Sequence, residues 1–203
     1  MTAQTGGNES LTAAYSGDVV NPSGQSLELA QIVSSPGTDT AVEFYHAGFD
    51  HYFITTLASE IAKLDSGSIG GWQRTGLFFP VWPLATSGAQ PVCRFWSGQR
   101  FAPKSSHFYT PFAPECATVK ANPDWTYEGD VMAWKPPDAG GNCAAADRPL
   151  YRVYNDGQGG APNHRYYSDA NLHAEMQYRG WKFEGNASTR VFACVPAAAL
   201  AQQ

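Results

Sequence analysis

From Ala41 onward the chain alternates between short aromatic-rich apolar runs and turn residues, and the runs fall into three similar series. Each series opens on a strand-like segment: AVEFYH (41 to 46), PVCRFW (91 to 96) and PLYRVYN (149 to 155). A second strand follows that carries a histidine with an aromatic residue two positions on: DHYFITT (50 to 56), SHFYTP (106 to 111) and NHRYYSD (163 to 169). ASEIAKL, APECATV and NLHAEMQYRG then space their apolar residues as one short helix does. A tryptophan with glycine four residues later comes next, in WQRTG, WTYEG and WKFEG, and the apolar runs LFFPVW, VMAW and RVFACV close each series.

The spacing of these landmarks is nearly constant. His51, His107 and His164 lie 56 and 57 residues apart, and Trp72, Trp125 and Trp181 lie 53 and 56 apart. The sequence therefore reads as three repeats, about 41–88, 89–138 and 143–196, each running strand, strand, short helix, strand, strand. A unit of that size cannot bury its apolar face alone. Closure about a pseudo-threefold axis would bury it and remove the sheet edges. The expected fold is mainly β with one short helix per repeat, a closed trefoil-like or three-bladed propeller-like architecture. Residues 1–40, rich in Ser, Thr and Gly, read as a leader or linker with at most one strand around Leu27 to Val33, and 197–203 as a tail.

Composition narrows the function classes. Thirteen Lys and Arg against 18 Asp and Glu give a net charge of −5, which repels a phosphate backbone. Nucleic acid is not an expected partner. No run approaches the roughly 20 apolar residues of a spanning helix, so membrane insertion is not expected either. The opening MTAQTGGNES has no charged n-region and no apolar h-region. An even cysteine count, few lysines, many aromatics and an Asn-x-Ser at Asn186 nevertheless suit an extracellular or periplasmic protein whose signal has been removed.

The three landmark sets resemble a family of secreted repeat domains of unknown function, whose units read approximately Y-R-x-Y-N, D-H-F-Y-T-T and G-W-x-Y-E-G. Arg94-Phe95-Trp96, Ser106-His107-Phe108-Tyr109-Thr110 and Trp125-Thr126-Tyr127-Glu128-Gly129 carry the likeness most fully. The first series departs from it with Glu43 in place of arginine and Thr75 in place of glutamate; the third departs with Arg165 and Ser168. Domains of this kind are appended to extracellular hydrolases and wall-associated proteins, which implies a targeting or glycan-binding role. The resemblance carries no established catalytic residues.

Several groups could carry chemistry. Arg94 and Arg152 occur where Glu128 and Glu184 also occur, and the first series loses both partners together, so each pair is expected to bridge neighbouring strands within its own unit. His51, His107 and His164 are either turn-fixing residues, ligand contacts, or, on the weakest reading, three ligands of a zinc ion on the axis. Trp72, Trp125 and Trp181 read as core anchors, with Gly76, Gly129 and Gly185 supplying positive φ or close backbone approach. Trp82, Trp96 and Trp134, with Tyr45 and Tyr154, are candidate stacking platforms for sugar rings. Asn163 belongs to the loop 155 to 165, either a surface turn or a ligand loop. Asp50, Glu60, Glu115 and Glu175 could supply a glycosidase pair if two stood at the right separation. The register of the units pairs Cys93 with Cys116 and Cys143 with Cys194.

Together these features predict an extracellular, non-catalytic binding module, lectin-like or cell-wall-directed, without a required cofactor and with a glycan or wall polymer as its partner. The alternatives are a hydrolase with its site on the axis, using the three histidines and a metal, and a structural or protein-interaction domain.

Overall fold

The computed structural model describes residues 37–197 throughout, together with the backbone of four short strands in the leader. There β1 (Gly7–Leu11) pairs antiparallel with β4 (Leu29–Val33), and β2 (Ala14–Tyr15) with β3 (Gly24–Gln25). The leader thus holds two small ladders rather than the single strand expected of it. The compact body spans Gly37–Ala197, and residues 198–203 of the expected tail lie outside the described residues.

The body contains three small antiparallel sheets. In the first, β5 (Asp39–His46) lies between β6 (His51–Thr55) and β7 (Trp72–Val81), and α1 (Ala58–Asp65) connects the latter two. In the second, β8 (Gln90–Trp96) lies between β9 (His107–Thr110) and β10 (Thr126–Trp134), with α2 (Ala113–Lys120) as the connection. In the third, β11 (Asp147–Tyr154) has β12 (His164–Tyr167) on one side; α3 (Leu172–Tyr178) leads to β13 (Lys182–Phe183) and β14 (Ala193–Pro196) on the other. The order is the same three times, with the last strand split in the third sheet.

These segments form strands because their residues are β-branched or aromatic, and the innermost are buried on both faces. Every position of β6 and β12 is buried, as is all of β9 except the partly covered His107. That explains their nearly unbroken apolar and aromatic character. Thr55 and Thr110 end β6 and β9, and their hydroxyls accept hydrogen bonds from the Leu57 and Phe112 amides, 3.1 Å in both cases, turning the chain into α1 and α2. Gly76 (φ +86°) and Gly129 (φ +114°) occupy the register shifts of β7 and β10, bulges that only glycine adopts without strain. Gly185 answers a different need: a β-carbon there would stand 2.1 Å from the Arg190 carbonyl oxygen.

The three sheets of the body stay separate and do not merge into a closed barrel. Contacts between side chains and two isolated backbone bridges join them. Trp82 and Ala133 exchange hydrogen bonds of 3.3 and 2.8 Å, and Lys135 and Cys194 exchange bonds of 3.1 and 2.8 Å. The inner strands meet through polar groups. Tyr109 donates to the Ile54 carbonyl (2.5 Å) and Tyr166 to the Tyr109 carbonyl (2.9 Å); Asn163 accepts from the Tyr52 amide (2.7 Å) and donates to its carbonyl (3.1 Å). Trp134, Phe44, Phe95, Met132 and Leu150 are among the fully buried side chains. One disulfide, Cys93–Cys116, fastens α2 to β8; the other, Cys143–Cys194, fastens β14 to the segment before β11. Closing a loop of this second length contributes about 4 kcal/mol in the chain-entropy account.

Candidate functional site

Pairing register defines which residues of the three sheets correspond. Tyr45, Trp96 and Tyr154 lie two residues beyond Glu43, Arg94 and Arg152 on the central strands, and across the ladder from them stand Tyr52, His107 and His164. His51 is one place further on, in the position of Ser106 and Asn163. The three histidines of the repeat are therefore not equivalent, because β6 holds Tyr52 where the other two sheets hold histidine. Nor do they gather: no cluster of three or more His, Cys, Asp or Glu able to hold a metal occurs among the described residues. The zinc reading of His51, His107 and His164 has no ligand set to support it.

Between the first and second sheets lies a cleft of about 390 Å³ built around Arg94. The arginine sits on the central strand β8 with its side chain only 7% exposed. Its two terminal nitrogens grip Glu60 of α1 at 2.9 and 2.6 Å, and its Nε donates to Glu128 of β10 at 2.7 Å. The expected pair within one unit is thus half of the arrangement. The other half is a bidentate contact to the neighbouring sheet's helix, the strong geometry for a guanidinium. His107 Nε2 lies 3.2 Å from Glu128 and its ring packs on Phe53 at 4.4 Å. Trp72, Trp96, Leu64 and Ile69 complete the walls.

The electrostatics of this cleft follow from who touches whom. Burial alone would raise the Glu128 carboxyl, but hydrogen bonds from His107 and Arg94 outweigh it and bring the group down to about 2. Glu60 moves the same way for the same balance of causes, its bonds coming from Arg94 and Thr55. Burial lowers His107 despite the carboxylate beside it, so the ring is neutral at pH 7 and donates from Nε2. The paired glutamates raise Arg94 further above its already high value, over the opposing effect of burial. At neutral pH the cleft therefore presents two ionised carboxylates, one spent arginine and a neutral imidazole.

A second cleft, of about 410 Å³, repeats the design between the second and third sheets. Arg152 grips Glu115 of α2 with two bonds of 2.8 Å and reaches Glu184 at 2.9 Å; His164 Nε2 stands 3.1 Å from Glu184. Here the walls are Phe112, Phe192, Pro114 and Pro137 rather than tryptophans, and Arg152 lies on the Phe192 ring at 4.0 Å.

The third junction, between the third sheet and the first, is built the other way round. Glu43 takes the place of the arginine and is gripped at 2.9 Å twice by Arg165 of β12, with both side chains almost wholly buried (1% and 4% exposed). Arg165 also lies over the Tyr52 ring at 4.0 Å, and Arg179 bonds the Tyr52 hydroxyl (2.5 Å) and Asp50.

The remaining expected site residues separate cleanly. Trp96 lines the first cleft. Tyr45 is held by its hydroxyl on Asp50 (2.8 Å), and Tyr154 is stacked on His164 at 4.8 Å. His51 is buried, lowered by that burial, and bonded through Nδ1 to the Ser105 carbonyl at 2.7 Å, outside the lining of either cleft. Asn163 is fully buried, with its side chain committed to Tyr52 and to Ser106 Oγ (3.2 Å). Asn155 holds the loop 155 to 165 as a turn through its bonds to Gly157, Ala161 and Asn163. Trp134 and Trp82, expected as platforms, are buried where the ends of β7, β10 and β14 meet. Of the expected core anchors, Trp181 is buried, whereas Trp125 is half-covered against Phe108 and half-buried Trp72 faces the first cleft. The helix glutamates Glu60 and Glu115 turn out to line the clefts, and a Glu in the third position of both the first and second predicted helices was the available signal.

Sheets and clefts together define a mainly β, disulfide-stapled domain with an arginine-clamped carboxylate pair at two of its three junctions. The family described as domain of unknown function DUF5648 matches residues 21–135, which takes in the first two sheets and the whole of the first cleft, and the chain belongs to that family. No curated protein and no solved structure matches it. The two disulfides suit an oxidising environment, and no helix among the described residues is long and apolar enough to cross a membrane.

Proposed function

We propose that this domain is a secreted, non-catalytic module that binds carbohydrate, with the Arg94 cleft as its principal site and the Arg152 cleft as a second. One observation carries the proposal: half-buried Trp72 and Trp96 line the same cleft as Glu60 and Glu128, carboxylates already fixed in place by Arg94. Indole faces cover the apolar C–H faces of sugar rings, and immobilised carboxylates accept hydrogen bonds from hydroxyls. Because Arg94 has already ordered the glutamates, binding costs little side-chain entropy. We read the three sheets as three copies of one unit around a pseudo-threefold axis, and the domain as an appendage that directs larger extracellular proteins to a wall or glycan.

A hydrolase finds less support in the same groups. Glycoside cleavage needs a carboxylic acid that is protonated near the working pH, whereas Glu60 and Glu128 are both held below the usual carboxylate range. The test is binding of the oxidised protein to a glycan array and to insoluble wall polysaccharides, with and without a chelator. A defined glycan bound regardless of chelator, and lost in Trp96→Ala, is the expected outcome. Binding unaffected by Trp96→Ala would move the site elsewhere, and turnover of a polysaccharide would replace the module with an enzyme.

A further inference from the structure

The Arg94 cleft has a charge balance that narrows its ligand further. Its ionisable lining groups are Glu60, Glu128, Arg94 and His107. The arginine is almost covered and directs bonds from all three of its nitrogens at the two glutamates, while the glutamates remain about a quarter exposed (24% and 26%). The positive charge is thus turned inward and the negative charge outward. Both contacts to Glu128, from Arg94 and from His107, fall on Oε2, which leaves Oε1 free to accept from a ligand. Trp72 and Trp96 add electron-rich ring faces beside it, and indole is the aromatic group that attracts cations best. No lysine or second arginine lines the cleft to oppose a positive ligand.

We infer that the Arg94 cleft selects a cationic amino sugar, a glucosamine-type residue with a free ammonium group, over its N-acetylated, neutral and acidic counterparts. This rests on the carbohydrate reading of the cleft given above. The ammonium donates to Glu128 Oε1 and the sugar ring lies against an indole. An N-acetyl group removes the charge, and a uronic acid meets the carboxylates as a like charge. The Arg152 cleft discriminates less, since Arg152 itself already covers the Phe192 face.

The experiment is calorimetric titration of the full chain with three oligosaccharides of one length and linkage: fully deacetylated glucosamine, N-acetylglucosamine and glucose oligomers. It is run at low and high salt, at a pH that keeps the amine protonated. The deacetylated oligomer is expected to bind about tenfold more tightly than the other two and to lose most of that advantage in high salt. Glu128→Gln, nearly isosteric, should erase the advantage, so that the deacetylated oligomer binds no more tightly than the acetylated and neutral ones. Trp96→Ala should weaken all three, and a thermal melt of each variant verifies folding. Equal affinity for all three oligomers overturns the amino-sugar inference and leaves the carbohydrate site standing. Binding of none overturns both.

Discussion

The junction around Arg94 and the junction around Glu43 use the same chemistry to opposite ends. At the first, the arginine lies beneath and the carboxylates face a cleft, their ends reachable by a ligand. At the second, the carboxylate is beneath, Arg165 grips it, and Tyr52 lies against Arg165 and bonds Arg179. Glutamate in place of arginine at one central-strand position accompanies the change from partly exposed carboxylates to a buried pair. Of the three junctions, one buries its ion pair and two leave their carboxylates partly exposed. The difference teaches that an ion pair's role here depends on which partner is outward, more than on its presence.

Breaking the buried pair should cost most. Glu43→Ala leaves the Arg165 guanidinium buried without its carboxylate, and urea unfolding should show a loss of about 3–5 kcal/mol. Replacing both partners together, Glu43→Leu with Arg165→Met, should recover most of that loss, as apolar substitutes for a buried pair do. Arg94→Ala should cost less, about 2 kcal/mol, because the two glutamates it releases are partly exposed and can hydrate. It should abolish glycan binding all the same. If the two single variants prove equally unstable, the distinction between buried pair and cleft fails.

Acid should sharpen the same contrast by a smaller amount. Burial keeps His107 and His164 below the ordinary histidine value, so the unfolded chain takes up protons first and stability falls once the pH drops below 6.5. The Glu128 carboxyl, at about 2 instead of 4.5, contributes stability that is complete above pH 4.5 and is lost as the pH falls towards 2. Urea midpoints measured from pH 8 to pH 3 should decline through both windows, and Glu128→Gln should flatten the lower one. A midpoint unchanged between pH 4.5 and 3 in the wild type contradicts the clamp. Smallest of all is the surface pair of Arg74 and Asp65, whose side chains are 37% and 39% exposed. Arg74→Ala should change stability by less than about 0.5 kcal/mol in the same assay.

Much of the framework could be read from the chain because strand and helix signals are local. The central strands carry aromatic residues near their ends, and the helix sites carry apolar spacing with a glutamate in each. Side-chain equivalence is harder, since it depends on pairing register and not on matching letters. Ala47–Asp50 make a short connection in the first sheet, against ten residues from Ser97 to Ser106 in the second and nine from Asn155 to Asn163 in the third. That shift sets His51 beside Ser105 and gives its apparent place to Tyr52. Exposure of tryptophans was equally hidden: Trp134 ends its strand where three strand ends converge, and Trp96 ends its own at the rim of a cleft. No local pattern distinguishes them. Glu60 and Glu115 are site residues only because the next sheet brings an arginine to each, a contact between residues 34 and 37 positions apart.

The central claim is that ligands enter the Arg94 cleft against its two tryptophans. The chain has six tryptophans, and their indole N–H signals in a two-dimensional ¹⁵N–¹H spectrum report separately on cleft and core. Titration with the glucosamine oligomer should shift the Trp72 and Trp96 signals and leave buried Trp134 and Trp181 in place. Shifts confined to other tryptophans, or none at saturating ligand, would contradict the account.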